Sequence, residues 1–106
     1  MTNDSTLGGY MDVHDRPPAF AGSDGQAYSA GVYVDPAPDE QGLFGAAVLF
    51  VQWSDTDAHP VGHIETPCLV HEATPAEAEA AIRRLSLHAV KDHLDRAIAD
   101  RARRAV

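Results

Sequence analysis

The sequence has little cysteine: Cys68 is the only one, so an internal disulfide is excluded. It also has no long apolar run, because no window approaches the ~20 consecutive apolar residues that a membrane-crossing helix needs. The first nine residues contain neither a basic cluster nor an apolar segment, which argues against a signal peptide. Together with a composition rich in alanine, arginine and aspartate, these absences favour a bacterial protein located in the cytoplasm.

Recognised ligand-binding motifs are missing as well. The chain contains no P-loop, no G-x-G-x-x-G after a predicted strand and no Asp-x-Asp-x-Asp-Gly calcium loop. The net charge of −8 argues against a nucleic-acid partner, because the phosphate backbone favours clustered lysine and arginine. The absence of apolar spans argues equally against a membrane partner.

Basic residues are scarce in most of the chain but not at its end. Residues 1–82 hold thirteen acids and one base, whereas residues 83–106 hold seven bases and three acids. The C-terminal bases include Arg96, Arg101, Arg103 and Arg104. Cations there either complement the dipole of a helix C-terminus or form a surface for an anionic partner.

Three segments predict β-strands. Residues 27–34 alternate between apolar and polar positions, as a half-buried strand does. Residues 43–53 are apolar at both parities, which predicts a central strand covered on both faces, or covered on one face and packed on a partner chain with the other. Residues 61–72 predict a third strand, in which Pro67 must lie at an edge, a bulge or a break. Short turns make these neighbours antiparallel.

A long helix is predicted to follow the third strand. Thr74-Pro75-Ala76-Glu77 reads as a capping box with proline at the first helical position, and helical spacing continues to about Arg104. The apolar stripe changes sides halfway, and its second part consists of Leu87, Val90, Leu94, Ala97 and Ile98. A helix of that length spans ~42 Å, against ~36 Å for the longest predicted strand. Either it overhangs the sheet, or it breaks near Ser86 and folds back.

The overhanging helix is the alternative we favour, because its second stripe then needs a second chain. The predicted interface comprises Leu87, Val90, Leu94 and Ile98, and the predicted assembly is a homodimer. The fold class is α+β: a three-stranded antiparallel β-meander followed by one long C-terminal α-helix packed on the sheet (β-β-β-α). Residues 1–26, rich in glycine, aspartate and serine, predict a flexible N-terminal arm before a single domain at 27–106.

Four residues between the second turn and the helix form a candidate zinc site with the spacing H-x3-H-x4-C-x2-H: His59, His63, Cys68 and His71. Imidazole and thiolate are ligands that zinc prefers, although structural sites usually pair their ligands across a longer loop. The competing interpretation is an exposed edge strand with no cofactor. Cys68 near His63 and His71 also allows a histidine-dependent enzyme, although a lone cysteine is more often a small buried hydrophobe.

The segment from Gly62 to Ile82 resembles the HicB-like antitoxin domain. The resemblance rests on Pro67-Cys68 in a turn and on Thr74-Pro75-Ala76-Glu77-Ala78 at the start of a helix. It implies a small sheet-plus-helix module, often dimeric, that works by binding. The sequence therefore predicts a non-enzymatic protein–protein interaction module. The alternatives are a metal-binding or histidine-dependent enzyme and an antitoxin-like regulator.

Overall fold

The computed structural model describes residues 4–104, which form an antiparallel five-stranded sheet and three helices. In chain order the elements are α1 (Leu7–His14), β1 (Ala19–Ala21), β2 (Ala27–Val34), β3 (Phe44–Trp53), β4 (Pro60–Glu65), β5 (Val70–Glu72), α2 (Pro75–Arg83) and α3 (Leu87–Arg104). The α+β class, the antiparallel sheet and the long C-terminal helix follow the prediction. The sheet has more strands than the predicted meander of three.

The sheet order is β1-β2-β3-β4, and β5 pairs with the same edge of β3 as β4 does. The predicted third strand is therefore two strands, separated at Pro67. Thr66 N donates to Val48 O at 3.0 Å and Leu69 N donates to Ala46 O at 2.8 Å, so Pro67 and Cys68 are looped out between two ladder bonds. The prediction that proline interrupts this strand is confirmed, because proline has no N–H to donate.

One face of the sheet builds the core. The even-numbered side chains of the two long strands point toward the helices, and Tyr28, Val48 and Phe50 are fully buried among them. Ile82 of α2 and Leu94 of α3 belong to the same apolar cluster. Within residues 4–104, no helix is both long and apolar enough to cross a membrane.

Residues 4–26, predicted as part of a flexible arm, belong to the folded domain. They contain α1 and β1, and Leu7 is fully buried in the core. The Thr6 hydroxyl caps α1 by accepting from Gly9 N at 3.0 Å. The first three residues of the predicted arm lie outside the described part of the chain.

Of the two predicted alternatives, the structure has the break near Ser86: α2 ends at Arg83, and the long C-terminal helix α3 begins at Leu87. The predicted cap of α2 is present, since Glu77 N donates to Thr74 Oγ1 at 3.1 Å. The Glu77 carboxylate accepts from the Thr74 hydroxyl instead of from its N–H. Ser86 restarts the helix by accepting from Ala89 N at 3.0 Å.

The break places the second apolar stripe in the core of its own chain. Val90 and Leu94 are fully buried, Ile98 is 7% exposed and Leu87 is half-buried. The stripe predicted as an interface therefore packs within one chain, and the reason for assigning it to a second chain is removed. The homodimer itself stays a prediction.

Candidate functional site

The face of the sheet opposite the helices is an apolar surface on which no described helix packs. The odd-numbered side chains of β2 and β3 lie on it, alternating with the core side chains of the same strands. We call this surface the open face; it comprises Ser29, Tyr33, Leu49, Val51, Trp53, His63 and Glu65. β3 is apolar on both sides, but the helices pack on only one of them. Its second apolar side is therefore left without a covering layer.

The register of the strands brings the open-face residues side by side. Val51 is paired with Ser29 on one side and with His63 on the other, and Leu49 is paired with Glu65. The Trp53 indole N–H donates to Ser29 Oγ at 2.9 Å, which fixes the ring along the face. The centre of the surface is apolar, and its charged or titratable groups lie along β4.

The open face is a shallow depression rather than a pocket. A hollow of about 600 Å³ lies over it between Tyr33 and β4. Tyr33 is 41% exposed, and Leu49, Val51 and Trp53 are half-buried. Such a surface suits the flat side of another protein better than a small molecule, which needs enclosure.

The four predicted metal ligands do not come together. His63 is paired with Val51 in the sheet, whereas His71 is paired with Gly45. Gly45 and Val51 are six positions apart on β3, which is ~20 Å along a strand. Among residues 4–104, no group of three or more histidine, cysteine, aspartate and glutamate side chains is placed to hold a metal ion.

Cys68 and His71 lie near each other, at the end of the sheet where β5 pairs with β3. A Cβ atom at Gly45 would be 2.7 Å from Cys68 Sγ and 3.6 Å from His71 Cδ2, so both side chains lie over that glycine. Cys68 is exposed, and within residues 4–104 no histidine makes a hydrogen bond to it. The arrangement lacks the contact by which a base activates a thiol.

His59 belongs to a polar turn that also contains Ser54 and Asp57. The Asp57 carboxylate accepts from Ser54 Oγ at 2.7 Å and lies 2.5 Å from His59 Nδ1. The hydrogen bond from Ser54 is the main cause that lowers the pKa of Asp57. In a catalytic triad the histidine lies between serine and aspartate, but here the aspartate lies between the other two. The serine therefore has no histidine beside it to accept its proton, and the hydrogen bonds of the set hold the turn.

Two of the four arginines in the predicted anionic-partner set are used within the chain. Arg101 Nη2 donates to the Tyr28 hydroxyl at 2.9 Å and lies 3.6 Å from an Asp24 carboxylate oxygen. Tyr28 in turn donates to Asp24 at 2.8 Å, so the end of α3 is tied to the turn before β2. Arg103 pairs with Asp100 on its own helix. The other two, Arg96 and Arg104, line a cleft beside α3.

The Tyr28 cluster predicts an alkaline loss of stability. Burial is the main cause that raises the pKa of Tyr28 above 10.0. The folded state thus holds the phenolic proton more tightly than the unfolded chain does, and its contribution is lost as the pH rises through 10 and above. Urea unfolding of Tyr28→Phe should show a cost of about 1 kcal/mol at neutral pH. That cost should shrink above pH 10; a constant or growing cost would contradict the assignment.

No family model matches the chain, and no curated protein or solved structure matches it significantly. None of these comparisons bears on the resemblance of residues 62–82 to the HicB-like antitoxin domain, which stays a prediction. The functional argument therefore rests on the surfaces of the molecule. The sequence indicated the open face only in part. Residues 43–53 are apolar at both odd and even positions, which indicated that both faces of the strand are covered, but the predicted interface was on α3.

Proposed function

We propose that the protein is a non-enzymatic interaction module that forms a homodimer through its open face. The observation that supports this proposal is the uncovered side of β3, where Leu49, Val51 and Trp53 are half-buried although no helix packs there. Contiguous apolar patches of a few hundred Å² on a protein surface are often interaction sites. Sheets commonly cover such a face by packing on a second sheet ~10 Å away.

A second copy is the partner that best fits the size of the surface. The three strands of the open face at ~4.8 Å and seven residues at ~3.4 Å describe a flat area of about 340 Å² per copy. Side-chain relief enlarges the accessible area toward the ~600 Å² per partner at the lower end of specific interfaces. A two-fold arrangement would give each apolar side chain an apolar counterpart, because both copies present the same patch. We therefore expect a weak dimer, with a Kd on the order of 10 µM.

The distribution of charge also favours this surface. The open face has no charged side chain at its centre, while Glu65 and His63 lie along β4 at one side. Charged groups are depleted from interface cores and tolerated at rims. Since each copy carries a net charge of −8, salt should strengthen the dimer by screening repulsion. A dimer held by the basic end of α3 against an acidic surface would instead weaken in salt.

Val51→Glu tests the proposal. Val51 lies in the middle of the open face, and burying its replacement twice in a two-fold interface should raise the dimer Kd at least ~100-fold. Sedimentation equilibrium measures the effect. Val51→Thr keeps the β-branched shape and should cause a smaller rise in Kd, which separates loss of the interface from loss of the strand.

Val13→Glu is the matched control for this experiment. Val13 is a 40% exposed valine on α1, away from the open face. The same substitution there should leave the Kd unchanged. Equal weakening by both variants, or a dimer that survives Val51→Glu with its fold intact, would overturn the proposal.

A further inference from the structure

A cleft beside α3 is a further concave feature of the molecule, and it is separate from the centre of the open face. One wall is the segment from Glu65 to Leu69, and the other is the α3 face that carries His93, Arg96 and Arg104. Its enclosed part measures about 110 Å³ and continues into a wider mouth. By comparison with ~30 Å³ of liquid per water molecule, the enclosed part has room for a group of a few heavy atoms.

Two of the three arginines at this cleft, Arg96 and Arg104, make no ion pair with another residue of the range 4–104. Arg103 at the mouth is paired with Asp100, which neutralises that carboxylate. Within residues 4–104, neither Arg96 nor Arg104 is within salt-bridge distance of a carboxylate. Arg104 makes one long hydrogen bond, from Nε to the Asp100 carbonyl oxygen at 3.4 Å. The remaining acid is Glu65, an exposed residue at the rim.

The interior of the cleft is apolar. Ala97 is 8% exposed, and Pro67 and Leu69 complete the apolar lining. Burial, followed by the nearby Arg96 charge, lowers the pKa of His93, so its imidazole is neutral at pH 7. A neutral imidazole offers a hydrogen bond without a charge that would need compensation. The cleft thus combines an apolar lining with two guanidinium groups that have no carboxylate partner among residues 4–104.

From this combination we infer that the cleft binds a carboxylate attached to a small branched apolar group. Arg96 or Arg104 would hold the carboxylate, because a guanidinium matches its two oxygens in a bidentate pair. The apolar group would occupy the enclosed part between Pro67 and Ala97. Such a ligand comes from two sources, a free short-chain acid or the C-terminal residue of a peptide.

The test is a titration of the full chain followed by ¹H–¹⁵N NMR, with four probes. These are 3-methylbutanoate, N-acetyl-glycyl-valine, the C-terminal amide of that peptide, and inorganic phosphate. We expect saturable shifts around His93 and Ala97 with a Kd on the order of 1 mM for at least one of the two carboxylates. If the peptide acid binds at least tenfold tighter, the ligand is a peptide C-terminus; equal or tighter binding of 3-methylbutanoate identifies a free acid.

Charge variants complete the test. Arg96→Gln and Arg104→Gln keep a helix-forming residue at exposed positions, and at least one of them should weaken carboxylate binding about tenfold. The control is Arg84→Gln, an exposed arginine at the end of α2, outside the cleft. The inference is overturned if neither carboxylate saturates, if the amide or phosphate binds as well, or if Arg84→Gln has the same effect as the cleft variants. None of these readings depends on whether the protein dimerises.

Discussion

Replacing Leu94 with alanine is expected to lower the free energy of unfolding by about 3–5 kcal/mol. Leu94 is fully buried among the core residues of the sheet and of α2, so the substitution removes apolar contacts and leaves a cavity. This is the largest single effect we expect. It also decides between the two roles that the sequence allowed for the second apolar stripe, a core of one chain or an interface between two.

Urea unfolding over a range of protein concentrations makes that decision. Substitution of a core residue lowers the free energy of unfolding by the same amount at every protein concentration. Substitution of an interface residue has less effect on that free energy as the dimer dissociates. Leu87→Ala, in the same stripe but half-buried, should cost only about 1 kcal/mol. A Leu94→Ala cost below about 1 kcal/mol in dilute solution would show that α3 does not pack as described.

Gly8→Ala should destabilise the fold by about 2 kcal/mol, although alanine is the better helix former. A Cβ atom at Gly8 would lie 2.6 Å from Arg83 Cβ, so α1 must move away from α2 to admit it. Arg83 also donates to Gly8 O at 3.2 Å and to Asp12 at 2.7 Å, and the displacement would disturb both bonds. Helix propensity alone predicts that Gly8→Ala raises the free energy of unfolding. The close contact between the two helices makes the substitution lower it instead.

Thermal unfolding with hydrogen exchange of the α1 amides measures this effect. Asp12→Asn serves as the control, since it weakens the ion pair with Arg83 without adding an atom at the contact. Because that pair is largely exposed, its loss should cost no more than about 0.5 kcal/mol. If Gly8→Ala stabilised the protein instead, α1 would not be packed on α2, and the flexible arm predicted from the sequence would regain support.

Local patterns predicted the elements whose stabilising contacts are also local. The alternation of residues 27–34 matches β2, and the apolar run of residues 43–53 matches the central strand β3. The cap at Thr74 and the interruption at Pro67 follow from the hydrogen-bonding chemistry of those two residues alone. These features could be predicted because no distant part of the chain is needed to produce them.

The choice between an overhanging helix and a break near Ser86 could not be made from local patterns. No glycine or proline lies between Pro75 and Arg104 to signal an end. The N-terminal segment satisfies the backbone groups at the break: Leu7 N donates to Leu85 O at 2.9 Å, and Leu87 N donates to Ser5 O at 2.8 Å. Partners about eighty positions apart leave no periodic signal.

The misplaced interface has the same origin. The sequence analysis favoured an overhanging helix because it did not predict α1. The first turn of α1 contains Gly8 and Gly9, which are weak helix formers. Our proposal therefore assigns the interaction surface to the side of the sheet opposite α3. The apolar residues at both odd and even positions of β3 had already indicated that this side of the sheet packs against another layer.

Trp53 provides the most direct test of the central claim, that a second copy covers the open face. It is the only tryptophan in the chain and lies on that face, so its emission reports on this surface alone. We predict that emission shifts to shorter wavelength and that quenching by acrylamide falls as the concentration rises from about 1 to about 300 µM. The midpoint should coincide with the rise in mass from 11.3 kDa to twice that value. A mass that doubles without any change at Trp53, or that stays at 11.3 kDa throughout, would contradict the account.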